Sequence, residues 1–311
     1  MGTPEFAVAS LQAILESKHQ VVAVVTAPDK PAGRGMKIRY SPVKETALQY
    51  NLPVLQPLNL KHPEFLEQLK SFQADLFVVV AFRMLPAEVW KMPPKGTVNL
   101  HASLLPQYRG AAPINWAIIN NEKYTGVTTF FIQENIDTGN ILFSEKVPIE
   151  ETECAGELHD KLKTIGARLL IKTVDAIENN SITPIPQDMI DVEGLKYAPK
   201  IYKDTCKINW SRSVNEIYNL IRGLSPSPGA FSYLHDGETR LLTKIFKASC
   251  QQEVHSFPTG TIISDNKTYL KVACTGGFIQ VELIQIEGKS RLPITEFLKG
   301  FKNISTCHFE S

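Results

Sequence analysis

Residues 75–81, Asp75-Leu76-Phe77-Val78-Val79-Val80-Ala81, read as a strand that is apolar on both faces. Strict alternation of apolar and polar residues marks a strand with one wet face. An unbroken run marks one covered on both sides, as in a parallel sheet between layers of helices. Working towards the N-terminus, His62 to Phe72 and Ser41 to Asn51 carry helical patterns, and His19 to Ala27 is β-branched and apolar. Towards the C-terminus, Gly96 to Ala102 and Gly126 to Gln133 read as strands, with a helix from Pro113 to Asn121 between them. Such alternation builds βαβ units, so the first half is expected to be α/β with a Rossmann-like, doubly wound, mostly parallel sheet.

The start of the chain departs from that pattern. Thr3-Pro4-Glu5 reads as the beginning of a helix, with Thr3 as cap, Pro4 at the first helical position and Glu5 complementing the dipole. A doubly wound sheet ordinarily opens with an apolar central strand, so a strand is expected to be missing ahead of Gly2, through a late-assigned start or a trimmed chain. After the long helical pattern of Glu151 to Asn179, Pro184 and Pro186 stop the helix. One amphipathic helix, Ser213 to Leu224, then precedes short alternating segments separated by Pro226, Pro228, Gly237, Gly260 and Gly276-Gly277. That pattern predicts a small, OB-like β-barrel. The expected division is a domain at 1–183, a linker at 184–202 and a barrel at 203–311.

With 311 residues, 43% of them hydrophobic, the chain can fill two cores, which excludes a disordered, collagen-like or disulfide-stapled protein. Cys154, Cys206, Cys250, Cys274 and Cys307 show no metal-ligand spacing, so reduced thiols in the cytoplasm and no bound metal are expected. The longest apolar run, Leu76 to Phe82, is far shorter than the ~20 residues of a membrane span, so no membrane partner is expected. Charge is uneven: residues 1–195 hold 18 basic and 22 acidic residues (net −4), residues 196–311 hold 15 and 10 (net +5). A basic barrel fits a polyanion, and also fits ordinary scatter. Thr26 to Glu45 carries Lys30, Arg34, Lys37, Arg39 and Lys44, and reads as a long functional loop or a solvated one. GxxxxGK[ST] and GxGxxG are both absent, which removes the main support for an NTPase or a dinucleotide enzyme.

Open α/β sheets bind ligands beyond the carboxyl ends of their strands. Asn99 and His101 fall there, two residues apart and hence on one face. An amide donor beside an imidazole suits acyl transfer, although a lone histidine at a strand end is more often structural. Asp137, after the next strand, is placed to orient the imidazole, or is a turn residue before Gly139.

Taken in order, Asn99-Leu-His101-Ala-Ser103-Leu104-Leu105-Pro106-Gln-Tyr-Arg109-Gly110-Ala-Ala-Pro113 and Gly126 to Gly139 with Asp137 resemble the formyltransferase family that uses 10-formyltetrahydrofolate. Gly2-Thr-Pro-Glu-Phe6, Pro28 to Gly35, Ser41 to Lys44, Tyr197-Ala-Pro-Lys200 and Ile208-Asn-Trp210 extend the resemblance over the whole chain. It is strongest to the branch whose acceptor is initiator methionyl-tRNA. The resemblance implies a Rossmann-like formyl-transfer domain, a C-terminal barrel that helps hold tRNA, and a catalytic set of Asn99, His101 and Asp137. It implies that Ser103, Leu104, Leu105 and Pro106 contact the folate donor, and that Arg34, with Lys37 and Arg39 beside it, meets the acceptor end of the tRNA. A monomer needing no metal is expected. Two departures stand out: the family's opening strand is absent, and its Ala-Tyr-Gly segment appears as Ala81-Phe82-Arg83, so no ligand contact is assigned there. Sugar-nucleotide or phosphoribosylglycinamide acceptors, and a non-catalytic RNA-binding protein, are the alternatives.

Overall fold

In a computed structural model of the chain, residues 1–32, 37–301 and 304–310 are described, without the side chains of Ala32, Lys37 and Ile38. The elements of the first half are α1 (Glu5–Leu15), β1 (Val24–Val25), β2 (Lys30–Ala32), β3 (Lys37–Arg39), α2 (Pro42–Gln49), β4 (Val54–Leu55), α3 (Pro63–Ser71) and β5 (Phe77–Val80). There follow α4 (Ala87–Trp90), β6 (Thr97–His101), β7 (Arg109–Gly110), α5 (Pro113–Ile119), β8 (Tyr124–Phe131), β9 (Ile141–Pro148), α6 (Ala155–Glu178) and β10 (Tyr197–Ala198). The start of α1 differs from expectation: Pro4, in extended backbone, is its N-cap, and no side chain caps it. Ser41 does cap α2, accepting from Lys44 N.

The fold is α/β. Strands run β5-β6-β8-β9, and β1 pairs separately with β4. β5 and β6 are parallel, with Val79 opposite Asn99, whereas β6 to β8 and β8 to β9 are antiparallel, with His101 opposite Thr128. For β8 and β9 the physical reason is the short 132–140 connection, which reaches an antiparallel neighbour but cannot make a parallel crossover. β9 was not legible as a strand because its middle residues, Ser144, Glu145 and Lys146, are polar. α6 lies close on β6: a Cβ added at Gly166 would sit 2.8 Å from Leu100 Cδ2, so glycine sets that approach. Thr129 and Thr173 join through their hydroxyls at 2.8 Å.

Among the described residues, only Met1 and Gly2 occupy the place between β1 and β5. Gly2 N donates to Val25 O at 3.0 Å, and Val80 N donates to Met1 O at 2.9 Å. Past them lies a cleft of about 480 Å³, lined by residues 20–25, Asp75 to Val78, Ala7 and Ser10, among others. This explains why the expected strand at 19–27 is reduced to Val24–Val25: residues 20–23 have strand-like composition but no strand beside them. The Ser10 hydroxyl is buried there without a partner.

By contacts the described chain forms two units: Met1–Pro113, Tyr124–Pro148 and His159–Tyr197, and then Ile114–Lys123, Ile149–Leu158 and Ala198–Ser311. The second unit contains α7 (Val214–Gly223), β11 (Ala230–Asp236), β12 (Thr239–Gln252), β13 (Ile262–Ser264), β14 (Leu270–Cys274), β15 (Gly277–Ile286), β16 (Leu292–Pro293), α8 (Ile294–Gly300) and β17 (His308–Phe309). Its antiparallel sheet runs β13-β14-β15-β12-β11-β17, and Thr261 bridges His308, so the sheet nearly closes into a barrel. Trp210, Ile217, Leu234, Ile279 and Phe309 fill it. The buried Arg222 recruits the 149–158 segment by donating to Glu153 O at 3.0 Å, and Asn115 Nδ2 donates to Gly223 O at 2.7 Å. No helix among the described residues is long and apolar enough to cross a membrane. All five cysteines are free.

Candidate active site

β6 ends on His101, and the pleat puts Asn99 on the same face. His101 is buried and Asn99 half-buried. The imidazole Nε2 donates to Tyr108 O at 2.9 Å. A carbonyl only accepts, so the neutral ring keeps its proton on Nε2 and leaves Nδ1 free to take a second. Nδ1 stands 3.8 Å from Asp137 Oδ2, with side-chain exposures of 8% and 13%. That separation is too long for a hydrogen bond. The ring is therefore oriented by Tyr108, and not by Asp137 as the spacing of residues led one to expect. Asp137 itself accepts from Gly110 N at 2.9 Å and sits at φ +54°. Its turn presses on β8, since a Cβ at Gly139 would lie 1.6 Å from Phe131 O.

Ser103 to Pro106 leave β6 at this end. Ser103 and Leu105 are buried: the Ser103 hydroxyl donates to Gln107 O at 2.6 Å, and Leu105 N donates to Thr128 Oγ1 at 3.2 Å. The Leu104 side chain is half-buried against Gly126, and Pro106 follows a cis peptide. Arg83, on the segment that departs from the family pattern, donates its guanidinium to the carbonyls of Pro57 and Leu58.

The expected basic loop is in part a hairpin, in which Lys30 faces Arg39 and Ala32 faces Lys37. Alternation of residues 37–39 was too short to mark a strand. Arg39 is exposed, while Arg34 and the side chain of Lys37 lie outside the described residues. Lys44 is held at the hairpin's base by Asp29, whose carboxyl is pulled below its usual range first by that lysine and then by Gln56.

Three groups escaped the sequence reading: the Tyr108 carbonyl, Arg109 and Gln187. Arg109 Nη2 donates to Gln187 Oε1 at 2.7 Å, and among the described residues no carboxylate pairs with it. Gln187 directly follows the Pro184 and Pro186 that stop the long helix, and its spacing from Asp137 carries no local signal. Among the described residues one group has metal-ligand proximity, His19, Asp175 and Glu178, but the Lys18 ammonium already lies 2.6 Å from Glu178 and 3.5 Å from Asp175.

Comparison with known proteins agrees with this layout. The formyl transferase family pattern matches residues 1–174, and that of the formyl transferase C-terminal domain matches 200–302. A relative from Bacteroides thetaiotaomicron named methionyl-tRNA formyltransferase is 53% identical over 305 residues, spanning 97% of this chain and 94% of its own. One of the same name from Flavobacterium johnsoniae is 54% identical, over 96% of this chain and 94% of its own. An N-formyltransferase from Helicobacter canadensis, solved in complex with folinic acid and dTDP-3-aminofucose, shares the fold at 24% identity and a TM-score of 0.65, over 90% of this chain and 96% of its own. With both family patterns matched in order and half of its residues shared with these relatives, the chain belongs to the formyl transferase family.

Proposed function

We propose that this chain moves the formyl group of 10-formyltetrahydrofolate onto the α-amine of methionine esterified to initiator tRNA, giving N-formylmethionyl-tRNA for translation initiation. The observation that carries the reading is the gathering of Asn99, His101 and Asp137 at one strand end, in a chain half identical to relatives named for this reaction.

The amine attacks the formyl carbon, a C–N bond forms, and the formyl oxygen gains negative charge. Asn99 donates its amide to that oxygen, and His101, protonated at Nδ1, adds a second donor; one well-aimed donor is worth ~3 to 4 kcal/mol in such sites. The His101–Asp137 pair relays the proton lost by the amine to N10 of the folate as the N10–carbon bond breaks. Ser103, Leu104, Leu105 and Pro106 meet the folate. Arg34, Lys37 and Arg39, together with the barrel at 203–311, hold the tRNA. In this reading the protein acts as a cytoplasmic monomer without a metal.

The test offers 10-formyltetrahydrofolate with charged initiator tRNA, charged elongator methionyl-tRNA and an amino-sugar nucleotide in parallel. Formylation of the initiator tRNA is the expected result. Formylation of the sugar nucleotide, with the initiator tRNA untouched, would overturn the assignment of acceptor.

A further inference from the structure

Gln187 is 4% exposed and all of its amide is in use. Its nitrogen donates to Asp137 O at 2.9 Å and to Gly139 O at 2.8 Å, while its oxygen accepts from Arg109 Nε at 3.1 Å and Nη2 at 2.7 Å. Only a side chain that both donates and accepts can do this, and glutamine does so without placing a charge in a dry environment.

The backbone around Gln187 fixes where it stands. Ile185 and Ile141 exchange two hydrogen bonds, each 2.8 Å, which dock the segment onto the start of β9. Further on, Lys196 N donates to Gln107 Oε1 at 2.8 Å, and Lys196 O accepts from Tyr108 N at 2.7 Å. Residues 185–196 thus strap the two loops that frame His101: the loop bearing Tyr108 and Arg109, and the turn bearing Asp137. Asp137 adopts a left-handed conformation that a non-glycine residue takes at a cost of about 1 kcal/mol or more. Gln187 grips the carbonyls on both sides of Thr138, and so holds that turn in place.

Resting on the function proposed above, we infer that Gln187 is a positioning residue for formyl transfer: it holds the Asp137 carboxylate opposite His101 Nδ1 and holds the Arg109 guanidinium through a neutral acceptor. Gln187 touches no reacting atom; it acts through Asp137. A displacement of about 1 Å at such a group costs on the order of 100-fold in rate.

The experiment compares wild type, Gln187→Ala, Gln187→Glu, Asp137→Ala and the double variant Gln187→Ala/Asp137→Ala. Steady-state formylation of initiator methionyl-tRNA is measured, and rates are normalised to protein competent to bind 5-formyltetrahydrofolate. Gln187→Ala should lower kcat by roughly 10- to 100-fold while KM for the folate stays within about 2-fold, because the loss falls on orientation. Gln187→Glu keeps an acceptor for Arg109 but loses both donors, so it should show the same loss in kcat. In the Asp137→Ala background, Gln187→Ala should have little further effect on kcat. Unchanged kcat in both Gln187 variants, or fully additive losses in the double variant, would overturn the inference. If wild type formylates no tRNA, the functional reading itself fails instead.

Discussion

At His101 one ring nitrogen is engaged by the Tyr108 carbonyl and the other faces Asp137. His101→Ala should therefore lower single-turnover formylation by about 10²- to 10⁴-fold, and Asn99→Ala by about 10²- to 10³-fold, with folate binding retained. Near wild-type turnover in His101→Ala would sink the proposed chemistry. Asp137→Asn keeps the size of the side chain but removes the charge that faces His101 Nδ1, so the single-turnover rate should fall by about 10²-fold. Gly139 makes a structural prediction beside these. The Phe131 carbonyl stands where its Cβ would be, so Gly139→Ala should destabilise the fold by about 3 kcal/mol, read from urea unfolding. A normal unfolding midpoint would mean that the turn can move away from β8. Asn99 and His101 were recognisable from the sequence because a two-residue spacing on a strand settles their shared face. The partners of His101 were not, since Tyr108 contributes only backbone, which every residue has.

Among the elements, α7 shows local chemistry working as the sequence promises. Ser213 accepts from Glu216 N while Glu216 reaches back to Ser213 N, a reciprocal capping box. Ser213→Ala should cost about 1 kcal/mol, measured as a shift in the urea midpoint. Arg222, in the last turn of that helix, answers to long-range chemistry. It is buried, and that burial lowers its hold on its proton. Its Nε donates to Asn219 Oδ1 at 2.9 Å and its Nη1 to Glu153 O at 3.0 Å. Arg222→Met should cost about 3 kcal/mol because those acceptors lose their donors inside the unit. A loss below 1 kcal/mol would show that water replaces the guanidinium. Strand direction is likewise settled between elements: the apolar run of β8 reads the same whether its neighbours are parallel or antiparallel.

On the scale of the whole molecule, the cleft beside Met1 leaves the apolar edges of residues 20–25 and 75–78 without a strand between them. The barrel predicts a response to acid. Lys207 and Arg240 hold the Glu310 carboxyl at about 2, below its ordinary value of 4.5. Its stabilising contribution is therefore complete above pH 4.5 and disappears as pH falls towards 2. Glu310→Gln should flatten the stability profile of the barrel in that window, and an identical profile would remove Glu310 from it. The sequence by itself determined the α/β class, the barrel pattern, the amphipathic helix that begins at Ser213, and Asn99 and His101 on one strand face, because apolar period and turn residues act between near neighbours in the chain. Only the tertiary structure decided that Tyr108 orients His101, that Gln187 grips the Asp137 turn, and that segments 114–123 and 149–158 join the second unit. Those outcomes depend on which backbone carbonyls and glycines come within hydrogen-bonding or van der Waals reach after packing, and no chain-local pattern encodes that.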